Sequence, residues 1–311
     1  MSKRLLIRVG VVVWALAALV VGVTQQLSPS LHPDSPAPRP KDLQPAAWVP
    51  KTSFAELKSM PNLRCASAFI LDNKAGEIIL EKNAHQVRPI ASITKLLTAL
   101  VFLESGVDLN TTTTITPEDA YESSRSRLRP GEEYTVRDLL HAALISSDNR
   151  AARALSRSAG MTQAMFIARM NDKARELDMD STHVVEPTGL SNENRSTAHD
   201  CAILVNAALK NHLIRHITSL TGHTIRPLNR RRNVALSNTN RLLQTDLQFL
   251  GAKTGYINDA GWCIAARALS GQGDDVTAVV LGARTSTQRF ASLSSALHWA
   301  FDVVSSSLSR N

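Results

Sequence analysis

Residues 90–100, IASITKLLTAL, place a lysine, Lys95, three positions after a serine, Ser92, in a run that is otherwise almost wholly apolar. A spacing of i, i+3 puts both side chains on one face of a helix, within reach of each other. The continuation LLTALVFL is apolar on nearly every side, the pattern of a helix buried in a core. A charged ammonium there is costly unless it is paired, or unless it sheds its proton through a lowered pKa. A neutral amine beside a hydroxyl is a general base beside a nucleophile. The helix N-terminus adds a positive field for developing negative charge. Alone, the same pattern also describes a surface serine and a snorkelling lysine.

Two further stretches decide between these readings. SSDN offers Ser147, Asp148 and Asn149 in a break between two helical runs. A hydroxyl and a carboxamide on a loop can relay a proton and hold a peptide amide; the structural alternative is that Ser147 or Asp148 caps the next helix. GAKTGY offers Lys253, Thr254 and Gly255 in a strand, where the glycine permits close backbone approach and the lysine and threonine can bind a carboxylate. In isolation Lys253 is an ordinary edge-strand lysine. S-x-x-K, then S-D-N about fifty residues on, then K-T-G about a hundred beyond that, is the ordered motif set of penicillin-binding proteins and class A β-lactamases.

Around these motifs the chain reads as strands, then helices, then strands and a helix. CASAFILDNKAGEIILEKN is a hairpin with its turn at Asn73–Gly76, and Pro89 opens the helix carrying Ser92 and Lys95. TVRDLLHAALI starts on a Thr135/Asp138 capping box, RAARALSRSAG ends on Gly160, residues 162–178 are helical, and STAHDCAILVNAALK repeats the cap with Thr197 and Asp200. From about 218 come TIRPL, NVALSNTN, FLGAKTGY, GWCIAARAL and VTAVVLGA, read as strands, then an amphipathic helix over roughly 286–305. Early strands must join late ones in one sheet, leaving the middle block as a mostly helical lobe: an α+β fold, antiparallel sheet flanked by helices.

The 311 residues are 43% hydrophobic and 20% charged, which places the chain among globular proteins. Lys3, Arg4 and Arg8 precede the apolar stretch Val9–Val23, so residues 1–23 are an export signal, either removed or retained as a membrane anchor. Residues 24–61 hold eight of the thirteen prolines and read as a linker, with one short helix around SFAELKSM. The catalytic domain spans 62–305 and a tail 306–311. The formal charge of +8 comes without a basic stripe interleaved with aromatics, so nucleic acid is not indicated. A mild positive balance suits an acidic extracytoplasmic polymer. Arg230–Arg232 read as a solvated turn between strands. Cys65, Cys201 and Cys263 form no scaffold; Cys65 and Cys263 either pair or stay as buried thiols. His212 and His216 lack a third ligand and read as solvent-facing, and His199 as a first-turn helix residue, so no metal and no cofactor are implied.

The chain resembles the low-molecular-mass penicillin-binding proteins, the serine D-Ala-D-Ala peptidases, and within them the D-alanyl-D-alanine endopeptidase branch. RPIASITKLLTAL, LRPGEEYTVRDLLHAALISSDNRAA, PTGLSNENRSTAHD, SNTNRLL and GAKTGYINDAGWCIAA carry the resemblance, from about 63 to about 300. It implies a β-lactamase/transpeptidase-like fold with the site between sheet and lobe. It implies Ser92 as the nucleophile forming an acyl-enzyme, Lys95 as its base, and Ser147 as the group returning a proton to the leaving amine. Asn149 would bind the substrate amide, Lys253 and Thr254 the carboxylate, and Gly255 would allow close approach. The N–H groups of Ser92 and Tyr256 would form the oxyanion hole. The partners implied are peptidoglycan peptides, with β-lactams as covalent inhibitors, in the periplasmic or extracytoplasmic space. Endopeptidase action on D-Ala–diaminopimelate cross-links is expected over carboxypeptidase action, because the chain ends at FDVVSSSLSRN without the second β-rich domain and amphipathic anchor of many carboxypeptidases. A β-lactamase would need a water-activating glutamate, for which VEPTGLSNENRST offers Glu186 and Glu193. A non-catalytic wall-binding protein is the third reading.

Overall fold

A computed structural model describes residues 60–121 and 126–308. The export signal, nearly all of the linker and the helix expected around SFAELKSM lie outside the described residues. Alternating residues of SAFILD and EIILEK form strands β1 (Ser67–Asp72) and β2 (Glu77–Lys82), paired antiparallel across the turn that ends on Gly76 at φ +69°. Only glycine takes that left-handed conformation without a Cβ penalty.

Next come β3 (Arg88–Pro89), a 3₁₀ turn over Ala91–Ile93, and helix α1 (Thr94–Glu104). This corrects the expected helix start. Pro89 lies in extended chain paired with Arg195, and Ala91 has φ +49°, which an α-helix cannot accommodate, so the α-helix begins only at Thr94. Ser92 therefore stands on the tight turn before the helix and Lys95 in its first turn.

The lobe follows: β4 (Thr112–Thr114), β5 (Glu133–Thr135), α2 (Val136–Ile145), α3 (Asn149–Arg157), α4 (Gln163–Glu176), β6 (Arg195–Ser196), α5 (Ala198–Lys210) and α6 (His212–Ser219). Its caps are those the sequence signalled. Thr135 Oγ1 accepts from Asp138 N at 3.1 Å and Thr197 Oγ1 from Asp200 N at 3.0 Å, each cap contributing about 1 kcal/mol.

β7 (Gly222–Ile225) and β8 (Val234–Ser237) pair only with each other, whereas β9 (Gln248–Ile257), β10 (Gly261–Leu269) and β11 (Asp275–Ala283) join the N-terminal hairpin. The sheet order is β2-β1-β11-β10-β9, all antiparallel, with β9 on the edge. The final helix α7 (Ser286–Leu308) extends three residues into the expected tail. Among the described residues no helix is long and apolar enough to cross a membrane.

Strand periodicity divides the apolar side chains between two cores. Phe69, Cys263, Ala265, Val279 and Leu281 share one core with α1, α2 and α5. Ala68, Ile70, Ile264, Ala266, Val276 and Val280 share the other with α7. Lys253 and Gly255 pair with Ala265 and Cys263, so both lie on the α1 face of the edge strand. The two cores thus bring β9, the 3₁₀ turn and the α2–α3 break to one cleft.

Candidate active site

Lys95 is 1% exposed. Its amine meets Ser92 Oγ at 2.9 Å, Asn149 Oδ1 at 2.7 Å and the Thr188 carbonyl at 2.6 Å. Asn149 Oδ1 and Thr188 O can only accept, so they take two N–H bonds, and the third tetrahedral position of nitrogen faces the serine. Burial drives the Lys95 pKa down from the ordinary lysine value to about 7, against the charges of Glu186 and Asp148, which hold it up. An amine at that value is neutral in a large fraction of molecules at neutral pH, and its third position then carries a lone pair toward Ser92 Oγ, whose hydroxyl otherwise donates to the Thr188 carbonyl at 3.4 Å.

The S-D-N stretch divides its work. Asp148 is the cap that the structural reading allowed: Oδ1 accepts from Ala151 N at 3.1 Å, while Oδ2 takes the Ser126 hydroxyl at 2.6 Å. This pins Ser147 at φ +59°, a conformation costing a non-glycine residue about 1–2 kcal/mol. Ser147 Oγ then receives the Lys253 amine at 2.9 Å. Lys253 is also buried, and its pKa lies well below the ordinary value through burial and the charges of Lys95 and Arg289. Its other acceptor is the Thr254 carbonyl at 2.9 Å, and Thr254 Oγ1 donates to Thr239 Oγ1 at 2.6 Å.

Gly255 is required by contact. A Cβ there would lie 2.8 Å from Ser92 N and 2.9 Å from Ala91 Cβ, closer than real Cβ atoms pack, so no other residue lets the strand run against the Ser92 backbone. Tyr256 follows, 41% exposed, its ring stacked on Trp262 at 4.2 Å. The structure thus brings Ser92, Lys95, Ser147, Asn149, Lys253, Thr254, Gly255 and Tyr256 around one cleft.

Sequence reasoning named the loop PTGLSNENRSTAHD and its Glu186 but gave neither a part in holding Lys95. Glu186 accepts from Thr188 N at 2.7 Å, Thr188 Oγ1 at 2.6 Å, Gly189 N at 2.5 Å and Asn194 Nδ2 at 3.1 Å. Those bonds aim the Thr188 carbonyl at Lys95. Gly189, at φ +80°, lies against the Ala91 carbonyl, where a Cβ would come within 2.0 Å. A backbone carbonyl acting as a partner leaves no mark in sequence, so the stretch could be singled out without its contact to Lys95 being legible. Arg289 was missed altogether. It is 4% exposed and reaches the carbonyls of Gly255 at 3.4 Å and Cys263 at 3.3 Å from beneath, with burial lowering its pKa to about 10.

Other expectations resolve simply. Cys65, Cys201 and Cys263 are free and buried. His212 and His216 are exposed, and His199 lies in the first turn of α5. Arg230–Arg232 are not merely a solvated turn, since Arg232 grips Glu132 at 2.6 and 2.7 Å.

A serine held against a buried lysine of lowered pKa, between a sheet edge and a helical lobe, is the arrangement of a serine hydrolase that uses a lysine as its base. The D-alanyl-D-alanine carboxypeptidase family of serine peptidases matches residues 55–285. The D-alanyl-D-alanine endopeptidase of Escherichia coli K12 is 35% identical, covering 81% of this chain and 82% of that protein. The D-alanyl-D-alanine endopeptidase of Pseudomonas aeruginosa is 34% identical over 79% of this chain and 80% of its own length. The crystal structure of a D-alanyl-D-alanine carboxypeptidase from Mycobacterium tuberculosis H37Rv superposes with a TM-score of 0.72 at 29% identity, covering 84% of this chain and 96% of the other. The chain belongs to the D-alanyl-D-alanine carboxypeptidase family.

Proposed function

We propose that the protein is a D-alanyl-D-alanine endopeptidase that cleaves D-Ala–diaminopimelate cross-links of peptidoglycan through an acyl-enzyme on Ser92. The observation that carries the chemistry is the 2.9 Å contact between Ser92 Oγ and an amine whose other hydrogens are taken by Asn149 Oδ1 and Thr188 O. Lys95 removes the Ser92 proton as Oγ attacks the D-alanine carbonyl. The N–H groups of Ser92 and Tyr256 stabilise the oxyanion, worth a few kcal/mol per donor. The proton taken up by Lys95 is returned to the leaving amine by way of Ser147, whose Oγ is held by the Lys253 amine at 2.9 Å, and water then releases the acyl group. Asn149 holds the substrate amide. Lys253 and Thr254 bind the carboxylate beyond the scissile bond, which supplies the counter-charge a buried lysine otherwise lacks.

The choice of endopeptidase over carboxypeptidase is supported by the names of the two curated relatives above. Against β-lactamase turnover stands Glu186, whose two oxygens already accept from five loop donors. Residues 62–305 are the catalytic domain, and the N-terminal segment carries it across the cytoplasmic membrane, either to be removed or to remain as a tether.

Mass spectrometry of purified muropeptides after incubation with the enzyme tests the bond cleaved. Cross-linked dimers falling to monomers is the expected result; pentapeptides losing one alanine with dimers untouched would replace it with carboxypeptidase action. Fluorescent penicillin should label Ser92 quickly and leave slowly, and steady nitrocefin hydrolysis well above about one turnover per second would return the β-lactamase reading.

A further inference from the structure

Residues 126–133 and 226–233, SRLRPGEE and RPLNRRRN, hold six arginines against two glutamates. Far apart in sequence, the two loops are laced together. Leu228 N donates to the Glu133 carbonyl at 2.8 Å, Asn229 Nδ2 to the Gly131 carbonyl at 2.9 Å, and Arg127 to the Ala235 carbonyl at 2.5 Å. Arg232 crosses to Glu132 with two hydrogen bonds, and Tyr134 adds a third at 2.7 Å. Burial opposes ionisation of Glu132, and these donors outweigh it, holding its pKa at about 2. That carboxylate is fully committed.

Arg127, Arg129, Arg226, Arg230 and Arg231 remain exposed. Among the described residues none of them pairs with a carboxylate: Arg226 donates to Asn233 Oδ1, and Arg230 to the Asn229 carbonyl. The face adjoins the cleft at two points. Ser126 bonds Asp148 beside the Ser147–Asn149 turn, and Thr239, two residues beyond β8, bonds Thr254.

We infer that this arginine face is a docking surface for the carboxylates of peptidoglycan stem peptides neighbouring the one being cut. The inference rests on the peptidoglycan reading above. Three features point to an anionic polymer of this kind. The exposed charges are five arginines against the half-buried Glu133, and they lie beside the cleft, within reach of a strand running out of it. Arginine forks match carboxylates two bonds at a time. The loops are pre-fastened, so binding orders little more than the side chains. The polymer meeting a peptidoglycan peptidase repeats its carboxylate-bearing stems along each glycan strand, and the array suits that repetition.

Arg230→Glu with Arg231→Glu tests it, since neither side chain touches the Arg232–Glu132 clasp or the cleft. Three quantities are read: co-sedimentation with purified sacculi, the rate of fluorescent penicillin labelling, and binding to vesicles of anionic phospholipid. Wild-type co-sedimentation should weaken as salt rises, and the double variant should bind sacculi about tenfold less well at low salt while labelling at the wild-type rate. Amidating the sacculus carboxylates should weaken wild-type binding to the same degree. If the reversed pair disturbs folding, Arg230→Gln with Arg231→Gln should still give a partial loss. Unchanged sacculus binding in a variant that labels normally overturns the inference, as does wild-type binding indifferent to amidation. Loss confined to vesicles overturns it too, in favour of a membrane-facing surface. Wild-type protein that never labels with penicillin would instead sink the peptidase reading, which the sacculus measurement does not touch.

Discussion

Lys95 and Lys173 stand on helices that pack together, α1 and α4, yet they are used in opposite ways. Lys173 meets Glu104 at 2.6 Å and Glu176 at 2.8 Å, in a cluster that also holds Arg169. Burial pulls its pKa down, but the hydrogen bonds it donates to the two glutamates win and raise it. Lys95 has no carboxylate within hydrogen-bond reach. Its partners are a hydroxyl and two neutral oxygens, and burial prevails. The same ammonium is a fastening where charges answer it and a base where only neutral dipoles do. What separates them is the company each keeps, and the chain arranges that company with Asp148, Glu186 and two close-packed glycines.

The contrast can be broken first at the nucleophile. Ser92→Ala should abolish penicillin labelling and lower muropeptide cleavage by about three orders of magnitude or more. Labelling that survives places the chemistry elsewhere. Lys95→Met comes next, with kcat/KM falling about 10²–10⁴-fold while the fold is retained, measured by turnover alongside thermal unfolding.

The acid limb sharpens the same point. Lys95 accepts a proton only when neutral, so with a pKa of about 7 kcat/KM should rise with pH through about 7 and then level. Glu186→Gln removes a negative charge that holds this value up, so the limb should move to lower pH. A limb that stays put or moves upward would show that burial and Glu186 do not set the lysine's proton affinity.

Packing effects should be smaller. Gly255→Ala forces a methyl to within 2.8 Å of Ser92 N, so β9 or the turn must retreat. A cost of about 1–3 kcal/mol in stability is expected, with a larger proportional loss in kcat than in KM. Equal stability and activity would mean the strand is not clamped against the nucleophile. Lys173→Met is the control from the other side of the comparison. Its partners are solvent-accessible, so the melting temperature should shift by a few degrees at most with labelling unchanged.

Much of this architecture was written locally. The hairpin strands around Asn73–Gly76, the caps at Thr135 and Thr197 and the apolar run after Lys95 depend on neighbours in the chain, and they formed where those neighbours indicated. The helix start was misplaced because Pro89 is extended by pairing with Arg195, a residue more than a hundred positions away, and because the positive φ of Ala91 is sustained by packing. β7 and β8 read as sheet strands by composition, but β9 occupies the edge and they close on each other instead.

Sequence by itself determined which residues are candidates for chemistry, because hydroxyls, amines and carboxamides at motif spacing are visible one letter at a time, and it determined that early and late strands share a sheet. Tertiary structure alone decided that Lys95 has neutral neighbours, that Thr188 presents a carbonyl to it, and that Gly189 and Gly255 leave room beside Ala91 and Ser92. The physical reason is that a lysine's proton affinity depends on burial and on every dipole and charge within a few ångströms. Those groups come from four separate stretches of chain that only folding brings together.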